Sequence, residues 1–269
     1  MIYESKILNV TLRKPKIHFV PDVVYAQVPT FEKPIQLLQM DLLIPQVAKP
    51  LPAVIFVTGG AFISANRARM PQLRMHLAEK NFVVASINYR TVPNSHFPQP
   101  IEDVKSAIRF LKANAQKFNV DAEKIFLIGD SVGGYLTTLA AVTNDDKTFN
   151  VGDNLNFSDK IVAAVNLYGL SDLTQSDLPF ITFFLNGNSP AKANPINYLS
   201  KNSAPMLLMH GTADNIVAPV HTDLLFQALK SHGVEAERYL IPNANHADNY
   251  WLQDEVLDVI TGFLSAHLI

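Results

Sequence analysis

The stretch that most constrains the fold of this chain is Lys124–Gly134, which reads KIFLIGDSVGG. Four apolar residues lead into a serine flanked by glycines, and helix-forming residues follow. Gly129, Ser131 and Gly133 match the G-x-S-x-G pattern of a nucleophile elbow, in which small neighbours allow the serine a strained turn above a sheet. The stretch therefore predicts a strand, a tight turn and a helix, although an ordinary glycine-rich turn between a strand and a helix looks the same.

Apolar runs and amphipathic stretches alternate along the rest of the chain. Continuous apolar, β-branched runs are typical of strands that are buried on both faces. Helices are predicted between them near Pro71–Lys80, after Pro98, near Pro219–Ser231 and from about Tyr250 to the end. This alternation predicts an α/β fold with a mostly parallel central sheet and helices on both faces. Besides the strand before Ser131, the runs are Ala53–Val57, Phe82–Tyr89, Ile161–Tyr168, Met206–His210 and Ala236–Ile241.

Two parts of the chain depart from this alternation. Val23–Val28 and Ile35–Ile44 are separated by a turn at Pro29 and Thr30, which predicts an N-terminal antiparallel hairpin at the edge of the sheet. Residues 169–204 are irregular, rich in phenylalanine and interrupted by three prolines, so we interpret them as a small cap over one end of the sheet. A chain of 269 residues lies within the range of one α/β domain, and we expect a single domain over 1–269.

Composition excludes several classes of function. The formal net charge of −2 gives no basic field for nucleic acid, and the absence of cysteine excludes disulfides and thiol catalysis. The first twenty residues lack the apolar core of a signal peptide, and no run of about 18 apolar residues suits a membrane span. We therefore expect a cytoplasmic protein with no nucleic-acid or membrane partner. No metal-ligand spacing is present, so neither a metal nor a cofactor is expected. The oligomeric state, a homo-oligomer included, stays open.

A serine hydroxyl needs an imidazole to take its proton and a carboxylate to orient that imidazole. Asp214 follows the strand Met206–His210, and His246 follows the last predicted strand. The order serine, aspartate, histidine is the one found in α/β-hydrolases. Asp172 also follows a strand and is an alternative acid. The other candidate bases are His96, His210, His221 and His232.

For other charged residues near these motifs we expect a structural role or assign none. Asp103 is expected to brace loops, and His210 to lie near the site as a packing or hydrogen-bonding residue. Asp248 is too close to His246 in sequence to face its ring and has no assigned role. We interpret three arginines as the solvated edge of a helix: Arg67, Arg69 and Arg74.

From about Val23 to His246 the chain resembles the α/β-hydrolase carboxylesterases, in particular the hormone-sensitive-lipase-like branch and the small bacterial acetyl- or feruloyl-esterase branch. The similar features are Thr58–Phe62, Asn88–Arg90, Phe97-Pro98 with Asp103, the serine elbow, Asn194–Tyr198, His210–Asp214 and the His246 loop. The resemblance implies an α/β-hydrolase fold. It also implies that Ser131 is the nucleophile, His246 the general base and then acid, and Asp214 the orienting carboxylate. The implied oxyanion hole is formed by the backbone N–H groups of Gly60, Ala61 and Val132.

The oxyanion loop departs from that family at two positions. The usual His-Gly-Gly-Gly reads Thr58-Gly59-Gly60-Ala61 here, with threonine in place of a bracing histidine. Alanine still donates its N–H where its backbone angles suit, so the oxyanion hole is expected to survive, while the rigidity of the loop stays open. Val132 replaces an alanine, which matters little because this position supplies only a backbone donor.

The leading hypothesis is a serine carboxylesterase that hydrolyses small-molecule, short-acyl esters through an acyl-enzyme. Little chain is available to build a long acyl tunnel, so aromatic residues are expected to close a compact substrate pocket. Two alternatives stay open. One is an amide hydrolase of the same fold, such as an arylformamidase or small peptidase, and the other is a non-catalytic binding protein. The expected pocket residues are Phe62, Phe180, Phe183, Phe184 and Trp251.

Overall fold

The computed structural model describes residues 5–175 and 178–268. The predicted domain 1–269 and the predicted cap 169–204 each include positions outside these residues. Within the described residues, eight strands form one sheet in the order β1-β2-β4-β3-β5-β6-β7-β8. The strands are β1 (Ile17–Val28), β2 (Gln36–Pro45), β3 (Leu51–Val57), β4 (Val83–Ile87), β5 (Val120–Asp130), β6 (Ala164–Leu167), β7 (Met206–Gly211) and β8 (Ala236–Ile241).

The pairing of the strands confirms the predicted mostly parallel sheet. Strands β3 to β8 pair in parallel, and Val57 of β3 lies opposite both Ile87 of β4 and Gly129 of β5. The predicted N-terminal hairpin is also present, since β1 pairs antiparallel with β2 and β2 pairs antiparallel with β4. The carboxyl ends of the parallel strands therefore open at one edge of the sheet, which is where ligands bind in such folds.

Helices cover both faces of the sheet because alternate residues of a strand point in opposite directions. The helices are α1 (Pro71–Glu79), α2 (Gln99–Ala113), α3 (Val132–Val142), α4 (Pro179–Leu185), α5 (Pro190–Ala193), α6 (Val220–Ser231) and α7 (Asp254–Ala266). Helices α1 and α7 pack with Val54 and Phe56 on one face. Helices α2, α3 and α6 pack with Ile55 and Val57 on the other face. Every residue of α3 is buried, so its position below the serine is fixed on all sides.

Several elements end where the apolar pattern does not. Strand β6 covers Ala164–Leu167 and is shorter than the predicted Ile161–Tyr168; at its start the Ile161 amide donates to the Asn144 side chain instead of to a strand. Helix α7 begins at Asp254 rather than near Tyr250, since a 3-10 turn over Asn249–Leu252 comes first. These ends depend on side-chain hydrogen bonds that a pattern of apolar residues does not contain.

The segment predicted as a cap contains α4, α5 and two 3-10 helices, Leu173–Gln175 and Pro195–Tyr198. It is held against the main body by hydrogen bonds to α3 and to the loop before α2. The Tyr135 hydroxyl donates to the Ala193 carbonyl at 2.6 Å, and the Phe97 amide donates to the Phe184 carbonyl at 2.8 Å. No helix within the described ranges combines the length and apolarity needed to cross a membrane.

Candidate active site

Ser131 lies at the turn between β5 and α3, in the conformation that its sequence pattern predicts. Its backbone angles are φ 53° and ψ −120°, which is a strained region for any residue with a side chain. Close packing of α3 against β3 enforces this turn. A Cβ atom on Gly133 would lie 1.9 Å from the Val57 carbonyl oxygen, so only glycine allows the helix to approach the strand this closely.

The structure brings Ser131, His246 and Asp214 into one chain of hydrogen bonds. His246 Nε2 lies 2.9 Å from Ser131 Oγ, and His246 Nδ1 lies 2.9 Å from Asp214 Oδ2. An ionised carboxylate only accepts hydrogen bonds, so Nδ1 carries the proton of the neutral ring and Nε2 is free to accept from the serine hydroxyl. The edge of the Tyr168 ring packs against the His246 ring, with centroids 4.8 Å apart, which limits the ring's movement.

The Asp214 carboxyl is buried and surrounded by donors. Burial by itself raises the pKa of this carboxyl, but hydrogen bonds from His210, His246 and the amides of Val217 and Ile216 outweigh burial and hold the pKa well below its usual range. The two amides lie 2.9 and 3.0 Å from Oδ1. Asp214 is therefore an anion with one fixed orientation, and Oδ2 faces the imidazole.

The rival acid and bases contact other groups. Asp172 accepts hydrogen bonds from Thr174 and from Asn194 at 2.8 Å. His210 lies behind Asp214, where its Nε2 is 2.8 Å from the Val217 carbonyl and 3.3 Å from Asp214 Oδ2. Asp103 binds Arg90 through both carboxylate oxygens. The other candidate bases contact groups outside the serine turn: His96, His221 and His232.

The loop after β3 lies beside the serine turn. The Gly59 amide donates to Asp130 Oδ1 at 2.7 Å and is thus engaged. Among the described residues we find no acceptor for the amides of Gly60, Ala61 and Val132. Ala61 has φ 54°, the left-handed region that favours glycine, so alanine occupies this position with some strain. Val132 begins α3, where the helix dipole favours a negative charge.

Other contacts replace the histidine that the resemblance would place at Thr58. The Tyr89 hydroxyl donates to the Thr58 carbonyl at 2.7 Å, and the amides of Ile63 and Ser64 donate to the Gly60 carbonyl. The Thr58 side chain is buried, and its hydroxyl has no partner within the described ranges. The loop is therefore held mainly through its backbone.

The interpretation of three arginines as a solvated helix edge is wrong. Arg67 and Arg69 precede α1 rather than forming part of it, and both bind carboxylates. Arg67 pairs with Asp41 on β2, and Arg69 pairs with Asp130 on β5. Arg74 is 8% exposed and donates to the Ala68 carbonyl. The Asp130 carboxylate is fully buried and needs a partner, and this requirement draws Arg69 toward the sheet.

The aromatic residues predicted to line a pocket divide into three groups. Phe62 and Phe184 are buried and stacked, with centroids 3.7 Å apart, so they belong to the core rather than to an open pocket wall. Phe180 is half-buried against Phe62, whereas Phe183 is 67% exposed. Trp251 is buried and lines a cavity of about 230 Å³ beside the His246 loop. Arg69, Tyr168 and Asp248 line the same cavity.

Sequence reasoning assigned no role to Asp130 or Tyr168. Asp130 is fully buried at the end of β5, and Tyr168 lies between Trp251 and His246, with ring centroids 4.3 and 4.8 Å away. The sequence does contain a signal for Asp130, because a charged residue at the end of an apolar strand is buried and must bind a partner. Tyr168 gives no such signal, since an aromatic residue at a strand end is ordinary.

Comparison with known proteins identifies relatives of this chain. The sequence model of the BD-FAE family matches residues 40–229. The probable carboxylic ester hydrolase LipM of Mycobacterium tuberculosis is 32% identical over 73% of this chain and 49% of its own length. Esterase LipC of the same organism is 30% identical over 80% of this chain and 57% of its own length. The chain thus spans about half the length of the curated relatives it matches.

Among solved structures, a truncated form of a carbohydrate esterase from gut microbiota superposes with a TM-score of 0.83 at 24% identity. The match covers 96% of this chain and 98% of that one. Together with the mostly parallel sheet, this likeness shows that the fold is the α/β-hydrolase fold. The family match covers most of the sheet and the serine elbow. On this evidence the chain is a member of the BD-FAE family.

Proposed function

We propose that this protein is a serine carboxylesterase that hydrolyses small, short-acyl esters through an acyl-enzyme intermediate. The observation that carries this proposal is the hydrogen-bond chain from Ser131 through His246 to Asp214, with 2.9 Å at each link. The similarity to LipM and LipC, both named as ester hydrolases, supports the reaction class. No step of the proposed reaction uses a metal or a cofactor.

In the first step Ser131 Oγ attacks the ester carbonyl carbon while its proton passes to His246 Nε2. The new imidazolium is stabilised by Asp214, which accepts from Nδ1 and is already ionised. Collapse of the tetrahedral intermediate breaks the bond to the alcohol oxygen, and His246 returns its proton to that oxygen. The alcohol leaves, and the acyl group stays on Ser131.

The tetrahedral intermediate carries a negative oxygen that needs fixed donors. We assign this role to the amides of Gly60, Ala61 and Val132, none of which has an acceptor within the described residues. Each such donor typically lowers the barrier by roughly 2.7–4 kcal/mol. In the second half of the reaction, water attacks the acyl carbonyl carbon and passes a proton to His246, while the same donors hold the negative oxygen. Collapse of this intermediate breaks the bond to Ser131 Oγ, which takes the proton back from His246, and the acid leaves.

One feature supports a preference for short acyl chains. The stacked pair Phe62 and Phe184 closes the space between the oxyanion loop and α4 rather than opening a tunnel there. We expect kcat/KM for p-nitrophenyl esters to be highest for acyl chains of two to four carbons, and an optimum at eight or more would reject this part of the proposal.

The test of the reaction uses the purified protein and its Ser131→Ala variant. We expect hydrolysis of p-nitrophenyl acetate by the wild type, unchanged by EDTA, and a loss of several orders of magnitude in the variant. A fluorophosphonate probe is expected to add its mass at Ser131 of the wild type only. Turnover by the variant above about one-hundredth of wild type, with contamination excluded, would refute the nucleophile. A matched anilide panel separates ester from amide hydrolysis.

A further inference from the structure

Arg69 is tied to the oxyanion loop through one fully buried carboxylate. Arg69 Nη2 lies 2.7 Å from Asp130 Oδ2, and Asp130 Oδ1 accepts from the Gly59 amide at 2.7 Å. The Asp130 side chain is 0% exposed, whereas the Arg69 side chain is 36% exposed. One carboxylate therefore links an arginine at the surface to the backbone of the loop.

The contact between Asp130 and the loop is close enough to set the position of the loop. A Cβ atom at Gly59 would lie 2.7 Å from Asp130 Oδ2, so the backbone rests directly on the carboxylate. The next two residues are Gly60 and Ala61, whose amides are proposed oxyanion donors. A small rotation of the Asp130 side chain would move Gly59, and the two donors would move with it.

Thr58 leaves this loop without the side-chain brace that a histidine would supply. Its hydroxyl has no hydrogen-bond partner within the described residues, and only its carbonyl is held, by Tyr89. Among the described contacts, only Asp130 holds the loop by a charged group, and Arg69 is the cation that binds Asp130.

We propose that Arg69 is a positioning residue for the oxyanion hole, acting through Asp130 on Gly59. This inference rests on the proposed function, because it assigns the Gly60 and Ala61 amides to oxyanion binding. Arg69 fixes the rotamer of Asp130 through the contact between Nη2 and Oδ2. The carboxylate then holds the Gly59 amide, and the donors that follow keep their direction toward the oxygen. Arg69 itself contacts no reacting atom.

The position of Arg69 argues against a merely structural ion pair. Surface pairs contribute little when both partners face water, but here the acidic partner has no access to water. Charge neutralisation alone would need only a cation nearby. Arg69 makes this contact through one nitrogen, Nη2, whose N–H direction is fixed by the planar guanidinium, whereas the N–H groups of a lysine ammonium rotate freely.

The experiment compares Arg69→Met and Arg69→Lys with Arg67→Met as a matched control. Arg67 lies on the same loop and also pairs with carboxylates, Asp22 and Asp41, but none of its hydrogen bonds or ion pairs with the described residues reaches the serine turn. We expect Arg69→Met to lower kcat by about 10- to 100-fold with KM changed less than about threefold, since small displacements of catalytic groups have effects of this size. Arg69→Lys should be intermediate, and Arg67→Met should stay near wild type.

An independent readout separates positioning from folding and does not need turnover. Hydrogen exchange of the amides at 59–62 should be faster in Arg69→Met than in wild type and unchanged in Arg67→Met, with both variants retaining a cooperative thermal transition. Unchanged kcat and unchanged exchange in Arg69→Met would overturn the inference. So would equal losses in Arg69→Met and Arg67→Met, because these would indicate a general loss of stability. If the wild type hydrolyses no ester, the proposed function fails, and the exchange data still decide whether Arg69 holds the loop.

Discussion

Replacing Asp214 with asparagine tests the proposed reaction most directly, because the structure fixes which way the new side chain must point. Asp214 Oδ1 accepts from the amides of Ile216 and Val217, so the asparagine carbonyl oxygen must take that position. Its NH₂ group then occupies the place of Oδ2, 2.9 Å from His246 Nδ1. The opposite orientation would set NH₂ against two amide donors.

With a donor facing Nδ1, the neutral imidazole must carry its proton on Nε2. That proton points at Ser131, which lies 2.9 Å from Nε2, and the ring can no longer accept the serine proton. A wrong tautomer of this kind lowers kcat by about 10⁴-fold in serine hydrolases with intact geometry. At 1.36 kcal/mol per factor of ten, this corresponds to about 5 kcal/mol of lost transition-state stabilisation.

The assay is steady-state hydrolysis of p-nitrophenyl acetate by Asp214→Asn and by Asp172→Asn, with near-ultraviolet circular dichroism to verify folding. Asp172→Asn is the matched control, since this carboxylate caps Thr174 and binds Asn194. Its kcat should stay within about threefold of wild type, as for most substitutions outside a site. If Asp172→Asn does the larger damage, or if folded Asp214→Asn keeps more than one-hundredth of wild-type kcat, the assignment of the acid is wrong.

Two further predictions concern stability. Burial, and to a smaller extent the neighbouring His210, lowers the pKa of His221 from 6.5 to about 4. Between pH 6.5 and pH 4 this histidine is therefore protonated in the unfolded chain but not in the native state. The free energy of unfolding should therefore fall as pH drops from 6.5 to 4, by up to about 3 kcal/mol through this group. Urea titrations should show a smaller fall in the His221→Gln variant than in wild type. An equal fall in the two proteins would contradict this prediction. Gly133→Ala should destabilise by about 3 kcal/mol, because its Cβ would meet the Val57 carbonyl at 1.9 Å. The control Gly262→Ala on α7 meets nothing within 4 Å and should stabilise by about 0.5–1 kcal/mol, so a loss similar to that of Gly133→Ala would refute the packing argument.

The sequence was sufficient to predict the layered sheet because a strand covered on both faces must be apolar throughout. Val83–Ile87 and the apolar part of β5 are buried at every position, and both appear as unbroken runs. The same logic predicted that Ser131, Asp214 and His246 lie close together, as their hydrogen bonds show. Each follows a parallel strand, and the carboxyl ends of parallel strands meet at one edge of a sheet. Topology alone brings residues 115 positions apart within hydrogen-bond distance.

Interactions across the fold could not be predicted in this way. Arg69 and Asp130 are 61 residues apart, and each reads locally as an ordinary charge near a turn. The aromatic residues show the same limit, because an apolar side chain suits both a core and a pocket wall. Phe184 stacks on Phe62 in the core, whereas its neighbour Phe183 is 67% exposed. Only the packing of α4 on the main body decides between them.

The end of β5 supplies a way to hold the proposed oxyanion loop, which has threonine and alanine at unusual positions. Asp130 and Ser131 are consecutive, so one residue holds the Gly59 amide while the next presents the proposed nucleophile. The backbone of β5 is itself fixed between β3 and β6. The end of β5 thus positions both parts of the proposed site. Its backbone holds Ser131, and the Asp130 carboxylate holds the loop that carries the proposed donors at Gly60 and Ala61. The rigidity of the loop's own side chains matters less, which is why Thr58 need not brace it.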